Sequence, residues 1–214
     1  MAIDDLLDEH EQSERVRSWL RSNAAGLIGG VGLGLAGIVG WHWWQGQQQG
    51  AKMSANARYA QAVAEFDAGQ VPADKGRAKI EAVSKGNPTL GALAALQLAK
   101  AQVDGGKRDD AIATLRGLHD LDPAMRSVVR ERLARLLIDA GKGKEALPLL
   151  DDERDPAMLA IRGDAQFALG DRAKAREAYA KALGLVDVGD PQHRLLQLKL
   201  IEAGGTPPHT EDRT

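Results

Sequence analysis

The chain of 214 residues contains no cysteine. Disulfides, thiolate metal sites, a catalytic cysteine and a cysteine-linked lipid anchor are therefore excluded. Aromatic residues make up only 4% of the chain, and all four tryptophans (Trp19, Trp41, Trp43 and Trp44) lie around one apolar segment. This uneven distribution indicates that the N-terminal and C-terminal parts of the chain meet different solvents.

Formal charges are absent from residues 24–50 and nearly balanced after them. Residues 1–23 carry six acidic and three basic side chains, and the formal charge of the whole chain is −2. Nucleic-acid binding requires a basic surface that neutralises phosphates. A chain without a basic surplus is therefore not expected to bind nucleic acid.

The uncharged segment has the length and flanks of a membrane span. Residues 24–44 would form a helix of about 30 Å, the thickness of a bilayer core. Trp19 precedes this segment and Trp41–Trp44 end it, as aromatic belts do at the two interfaces. A cleaved signal sequence fits less well, since the preceding charged region is long and acidic and no small-x-small site ends the apolar run. We predict an acidic tail at 1–23, a transmembrane helix at 24–44 and a linker at 45–50.

Three glycines of this span, Gly26, Gly30 and Gly34, recur at every fourth position. Small residues at this spacing let a second transmembrane helix approach closely. We therefore predict that this glycine face packs against a partner helix, the alternative being an anchor that meets only lipid.

Basic residues on either side of the span bear on its orientation. Arg15, Arg17 and Arg21 precede it, and Lys52 and Arg58 follow it. The small difference favours a cytoplasmic N-terminus, although long domains cross membranes largely regardless of their charge. The soluble domain is then expected on the opposite side of the membrane.

Residues 51–203 have helical periodicity without strand patterns, and glycine or proline interrupts them at regular intervals. The prediction is an all-α domain of paired helices, with breaks at 69–72, 86–88, 105–106, 122–123, 141, 155–156, 170 and 189–191. A helix at 191–203 is expected to cap the domain. The tail at 204–214 is predicted to be disordered, so that Gly204→Val should have almost no effect on stability.

Gly106, Gly141 and Gly170 share an internal spacing. A small residue lies seven positions before each glycine (Ala99, Ala134 and Gly163). An alanine lies five positions after each glycine (Ala111, Ala146 and Ala175), and a large side chain lies nine positions after it (Leu115, Leu150 and Tyr179). This pattern resembles the tetratricopeptide repeat. Three features depart from it: the glycines are separated by 35 and 29 residues, the tryptophan at the fourth position of the repeat is absent, and Pro148 interrupts the second helix of the middle copy. That helix should be short or kinked.

The repeat pattern also predicts a concave groove lined by the first helix of each pair. Its candidate residues are Leu96, Lys100, Val103, Glu131, Arg135, Ile138, Ala160, Asp164 and Phe167. A groove that mixes apolar and charged side chains suits extended or unfolded segments; the alternative is that some of these residues contact the neighbouring helix. The chain has no G-x-S-x-G elbow, Walker loop or histidine pair at metal-ligand spacing. We therefore predict no enzyme, and no catalytic site, metal, cofactor or small-molecule substrate.

The order of these features resembles one protein family over the whole chain. The chain resembles the ancillary subunits of the bacterial Sec translocon in its acidic tail and in the span that ends in residues 40–44 (GWHWW). The strongest local similarity is in the last repeat, with Arg162-Gly163-Asp164-Ala165, Leu169-Gly170-Asp171 and Ala175-Arg176. The resemblance implies a single-pass inner-membrane protein with a cytoplasmic N-terminus and a periplasmic repeat domain. It also implies the translocon, a periplasmic chaperone and exported proteins as partners. An envelope assembly or division protein, or a signalling scaffold of inverted topology, remains an alternative.

Overall fold

The computed structural model describes residues 4–69 and 71–207, and it describes the side chains of these residues except at 4–12, 27, 48–52 and 73. Every regular element in the described part is a helix, which confirms the all-α prediction. The start of the acidic tail (1–3) and most of the predicted disordered tail (208–214) lie outside the described residues. The chain divides into two compact units, Met1–Met53 and Ser54–Thr214.

Helix α1, Asp4–Asp67, contains the predicted membrane segment. The predicted linker at 45–50 is helical and belongs to α1. No single helix of the described residues is both long and apolar enough to pass as a membrane span; two segments bent by 46°, Ser13–Gly26 and Ile28–Gln47, pass together by length and composition. The large apolar side chains that the structure describes in this segment are exposed. The ring centroids of Trp41 and Trp44 lie 5.3 Å apart.

The second unit consists of the end of α1 and eight further helices in its described part. They are α2 Ala73–Ser84, α3 Pro88–Asp104, α4 Arg108–Arg116, α5 Pro123–Asp139, α6 Gly143–Ala146, α7 Pro156–Ala168, α8 Arg172–Leu185 and α9 Pro191–Glu202. The predicted breaks fall at the boundaries of these helices. The core has three buried clusters in succession, centred on Phe66, Leu137 and Tyr179.

Four helices begin at an Asn-Pro or Asp-Pro dipeptide. Asn87, Asp122, Asp155 and Asp190 each accept a hydrogen bond from a backbone N–H of the first turn. The following proline occupies the first helical position, where its missing N–H costs nothing and its fixed φ suits the helix. These dipeptides therefore determine where α3, α5, α7 and α9 begin.

The three turn glycines have the left-handed backbone that the repeat pattern requires. Gly106, Gly141 and Gly170 have φ of 73°, 71° and 83°. Only glycine adopts this conformation without a steric cost from Cβ. The predicted turns between α3 and α4, α5 and α6, and α7 and α8 are thereby confirmed.

The predicted small and large positions of the repeats all lie in the core. Ala99, Ala134, Ala111, Ala146, Ala175, Leu115, Leu150, Tyr179 and Gly163 are buried. At Gly163 the two helices approach closely, since an added Cβ would lie 2.3 Å from the Tyr179 ring. The aromatic ring of α8 therefore fills the space that the glycine of α7 leaves.

The middle repeat is irregular where Pro148 was expected to disturb it. Helix α6 has only four residues and continues into a 3₁₀ turn at Leu147–Leu149. Proline removes one helical N–H donor and its ring crowds the preceding turn. The prediction of a short second helix is confirmed.

At Gly204 the structure contradicts the sequence-based expectation that a substitution has almost no effect. Gly204 follows the end of α9 with φ 85°, and its N–H donates to the carbonyl of Ile201. The preceding Ala203 is buried, and its carbonyl accepts a hydrogen bond from Arg176 of α8. Gly204 thus terminates the capping helix, and Gly204→Val is expected to strain the backbone.

We expect Gly170→Val to lower the free energy of unfolding by about 1 kcal/mol or more, because valine at positive φ is strained. Gly189→Val is the matched control, since Gly189 lies in a loop, lacks a positive φ and has open space around an added Cβ. Thermal unfolding followed by circular dichroism measures both. Equal melting temperatures for the two variants would contradict the assignment of the turn.

Candidate interaction groove

A cleft of about 600 Å³ lies between α3 and α5, beside Tyr59 of α1. Its lining is apolar along the floor and charged at the edges: Leu93, Leu96, Gln97, Ala99, Lys100, Val103, Asp104, Leu115, Val128, Arg132, Arg135, Leu136 and Asp139. Four predicted groove residues, Leu96, Lys100, Val103 and Arg135, meet here. We call this cleft the α3–α5 groove.

Apolar side chains in the α3–α5 groove remain accessible. Leu93 is 37% exposed and Val128 is 41% exposed. Leu96 and Val103 are half-buried against the central core cluster. Exposed aliphatic groups on a rigid helix pair gain free energy when a bound segment removes them from water.

The charged side chains at the edges differ in how they are paired. The ammonium nitrogen of Lys100 lies 2.9 Å from a carboxylate oxygen of Asp104. A guanidinium nitrogen of Arg135 lies 3.7 Å from a carboxylate oxygen of Glu131. Hydrogen bonding to Asp104 raises the pKa of the Lys100 ammonium, so this residue stays charged at neutral pH. Arg132 forms no ion pair within the described part of the chain. Asp139, which also lines the cleft, likewise forms no ion pair within the described residues. A bound segment therefore finds an apolar floor, one guanidinium able to take an acidic or carbonyl group, and one carboxylate.

The other predicted residues lie elsewhere. Glu131 pairs with Arg135, and Ile138 packs against the central core cluster. Phe167 packs against the C-terminal cluster, and the guanidinium of Arg172 lies 5.4 Å from its ring centre. Ala160 also packs against this C-terminal cluster. These side chains are part of the scaffold around the groove or of the next repeat.

Asp164 joins three helices instead of facing an open groove. Its carboxylate accepts hydrogen bonds from the Tyr179 hydroxyl at 2.8 Å and from Lys199 of α9 at 2.7 Å. Burial of the ring, together with the hydrogen bond to Asp164, raises the pKa of the Tyr179 hydroxyl. The network holds the capping helix on the last repeat.

The sequence analysis missed Leu93, Val128, Arg132, Leu136 and Asp139 because it took only the positions ten, six and three residues before each turn glycine. The groove is lined mainly by other equivalent positions of α3 and α5, which lie 35 residues apart: Leu93 and Val128, Gln97 and Arg132, Lys100 and Arg135, and Asp104 and Asp139. The proline spacing contains a usable signal, since Leu93 and Val128 both lie five residues after a helix-starting proline.

The glycine face of α1 is open within the described residues of its unit. An added Cβ at Gly26, Gly30 or Gly34 would meet no atom within 4 Å. Packing of this face against a partner helix stays a prediction. Within the described residues, no three histidine, aspartate or glutamate side chains lie together as a metal site requires.

Comparison with known proteins gives matches along most of the chain. The family model described as a tetratricopeptide repeat-like domain matches residues 17–205. The ancillary SecYEG translocon subunit of Escherichia coli (strain K12) is 32% identical over 199 residues, which cover 90% of this chain and 95% of the relative. Proteins of the same name are 25% identical in Aggregatibacter actinomycetemcomitans, covering 91% and 97%, and 24% identical in Haemophilus influenzae, covering 82% and 89%.

Proposed function

The chain belongs to the family of ancillary SecYEG translocon subunits, and from this premise we propose that it is a membrane-tethered adaptor of the translocon. In this role it catalyses no reaction. It holds a helical-repeat domain next to the site where exported proteins emerge. Both parts of the proposal use features already described, the apolar part of α1 and the α3–α5 groove.

The anchor in this proposal is residues 24–44, crossing the inner membrane once. The absence of charge over 24–50 and the tryptophans at both ends support it. The exposed Gly26, Gly30 and Gly34 are proposed to pack on a helix of the translocon. The N-terminus then lies in the cytoplasm and the repeat domain in the periplasm.

The α3–α5 groove is proposed to bind extended segments of exported proteins before they fold. The observation that carries this proposal is the half-exposed apolar floor beside Arg132. Unfolded chains present apolar side chains and free backbone carbonyls together, and the groove offers a partner for each. A periplasmic chaperone that takes over the client is proposed as a further partner, on the basis of the family resemblance alone.

The double variant Leu93→Ser/Val128→Ser tests the groove. Both side chains are partly exposed, so we expect the variant to fold and to copurify with the translocon. Crosslinking to an export-arrested client in membranes should fall about thirtyfold, because two apolar contacts of roughly 1 kcal/mol each are lost.

The matched control is Val188→Ser, in the loop between α8 and α9, where the side chain is 51% exposed. We expect this control to crosslink clients like the unmodified protein. Unchanged crosslinking by the double variant would show that clients bind elsewhere. Phe167→Ala is unsuitable here, since Phe167 packs in the C-terminal core cluster and its loss reports on stability.

A further inference from the structure

The outer face of the capping helix α9 is apolar, whereas a terminal element of a repeat domain normally presents a polar face to water. Leu195, Leu198 and Ile201 are 53%, 57% and 54% exposed. The opposite face is buried through His193, Leu196 and Leu200, so α9 is apolar on two sides. We call the three exposed residues, with the flanking Arg194 and Glu202, the α9 outer face.

The sequence of this face is symmetric about Leu198. Leu195 lies three residues before it and Ile201 three residues after it, while Arg194 and Glu202 lie four residues before and after. On an α-helix, positions three and four residues apart share one face. The face therefore has an aliphatic centre, aliphatic residues at both sides, and opposite charges at its two ends.

We propose that the α9 outer face binds a second copy of this chain, with the two α9 helices antiparallel and Leu198 on the two-fold axis. In this arrangement Leu195 of one copy lies at the level of Ile201 of the other copy. Arg194 lies at the level of Glu202 of the other copy, and symmetry produces this pairing twice. A parallel arrangement would instead place like charges at the same level.

Charge favours this occupant over an unrelated one. Arg194 and Glu202 are both exposed, and the described part of the chain provides neither with an ion-pair partner. The neighbouring cation Lys199 forms an ion pair with Asp164. Leu198 at the centre of the face therefore has no unpaired charge beside it in the described structure. The contact is small by the standard of stable interfaces, so we expect a weak dimer that confinement of both copies to one membrane favours.

The absence of native cysteine makes a direct test possible in the full-length chain. In Leu198→Cys the two introduced thiols meet on the symmetry axis, and mild oxidation of membranes should give a disulfide-linked dimer. Val188→Cys, at a similarly exposed position, is the control for random collision. We expect dimer formation through position 198 to be about tenfold faster or more; equal rates at the two positions would overturn the proposal.

Charge exchange tests the antiparallel arrangement in the same assay. Arg194→Glu should slow crosslinking of Leu198→Cys about tenfold, because two ion pairs become two repulsive contacts. Adding Glu202→Arg should restore the original rate, since the exchanged charges are again complementary. Failure of the double exchange to restore the rate would overturn the antiparallel pairing. The test does not depend on which proteins the α3–α5 groove binds.

Discussion

Replacing Gly163 with valine should lower the free energy of unfolding by about 3 kcal/mol, at the upper end of the usual cost of overpacking a core. The cause is local, because the new Cβ would lie 2.3 Å from Cε1 and 2.5 Å from Cδ1 of Tyr179. The ring is enclosed, since Tyr179 is only 2% exposed and its hydroxyl donates a hydrogen bond to Asp164, which also holds Lys199 of the capping helix.

Thermal unfolding should show a fall in melting temperature of roughly 6–12 °C for Gly163→Val, given the usual scaling for a domain of this size. Gly184→Ala in α8 is the control, since an added Cβ there meets no atom within 4 Å. It should be neutral or stabilising by up to about 1 kcal/mol, as expected when glycine leaves a helix.

A double variant identifies the contact itself. Tyr179→Ala alone should destabilise the domain by leaving a cavity, but Gly163→Val/Tyr179→Ala should be less destabilised than the sum of the two single variants. The reason is that valine then occupies part of the space of the missing ring. Strict additivity would mean that Gly163 and Tyr179 do not share this space.

The second large effect is expected in the proposed membrane segment. Gly30→Ile and Gly34→Ile should reduce copurification with the translocon about tenfold or more, because bulk on this face prevents the close helix approach that small residues allow. Both variants should remain in the membrane, since isoleucine is more apolar than glycine. An added Cβ at either position meets no atom within 4 Å, so we expect the helix itself to tolerate the larger side chain.

Gly32→Ile provides the matched control for these two variants. Gly32 lies on the opposite side of the helix, and its added Cβ also meets no atom within 4 Å. We expect it to copurify like the unmodified protein. If Gly30→Ile and Gly34→Ile behave like Gly32→Ile, the span is a passive tether and the repeat domain alone finds the translocon.

The helices of the repeat domain could be predicted from the sequence because their ends depend on local chemistry. Proline at the first helical position and glycine at positive φ determine a helix end through the few residues next to them. The helix boundaries that they predict therefore agree with the structure. The small and large core positions, such as Gly163 and Tyr179, were predictable because they depend on spacing within one repeat.

The groove was only half predictable, because it depends on how one repeat packs on the next. Spacing indicated Lys100 and Arg135, and the structure places both in the lining of the α3–α5 groove. It could not indicate that Asp164 accepts hydrogen bonds from two other helices. Gly204 was misjudged for a related reason, since the sequence after α9 looks like a tail although its first residue terminates the helix.

A topology measurement tests the central claim, an inner-membrane anchor that holds the repeat domain on the periplasmic side. Alkaline phosphatase fused after Thr214 becomes active only outside the cytoplasm, whereas green fluorescent protein exported by the same route stays dark. The account predicts an active phosphatase fusion and a dark fluorescent fusion. An inactive phosphatase together with a bright fluorescent fusion would place the α3–α5 groove in the cytoplasm and contradict the proposed role in export.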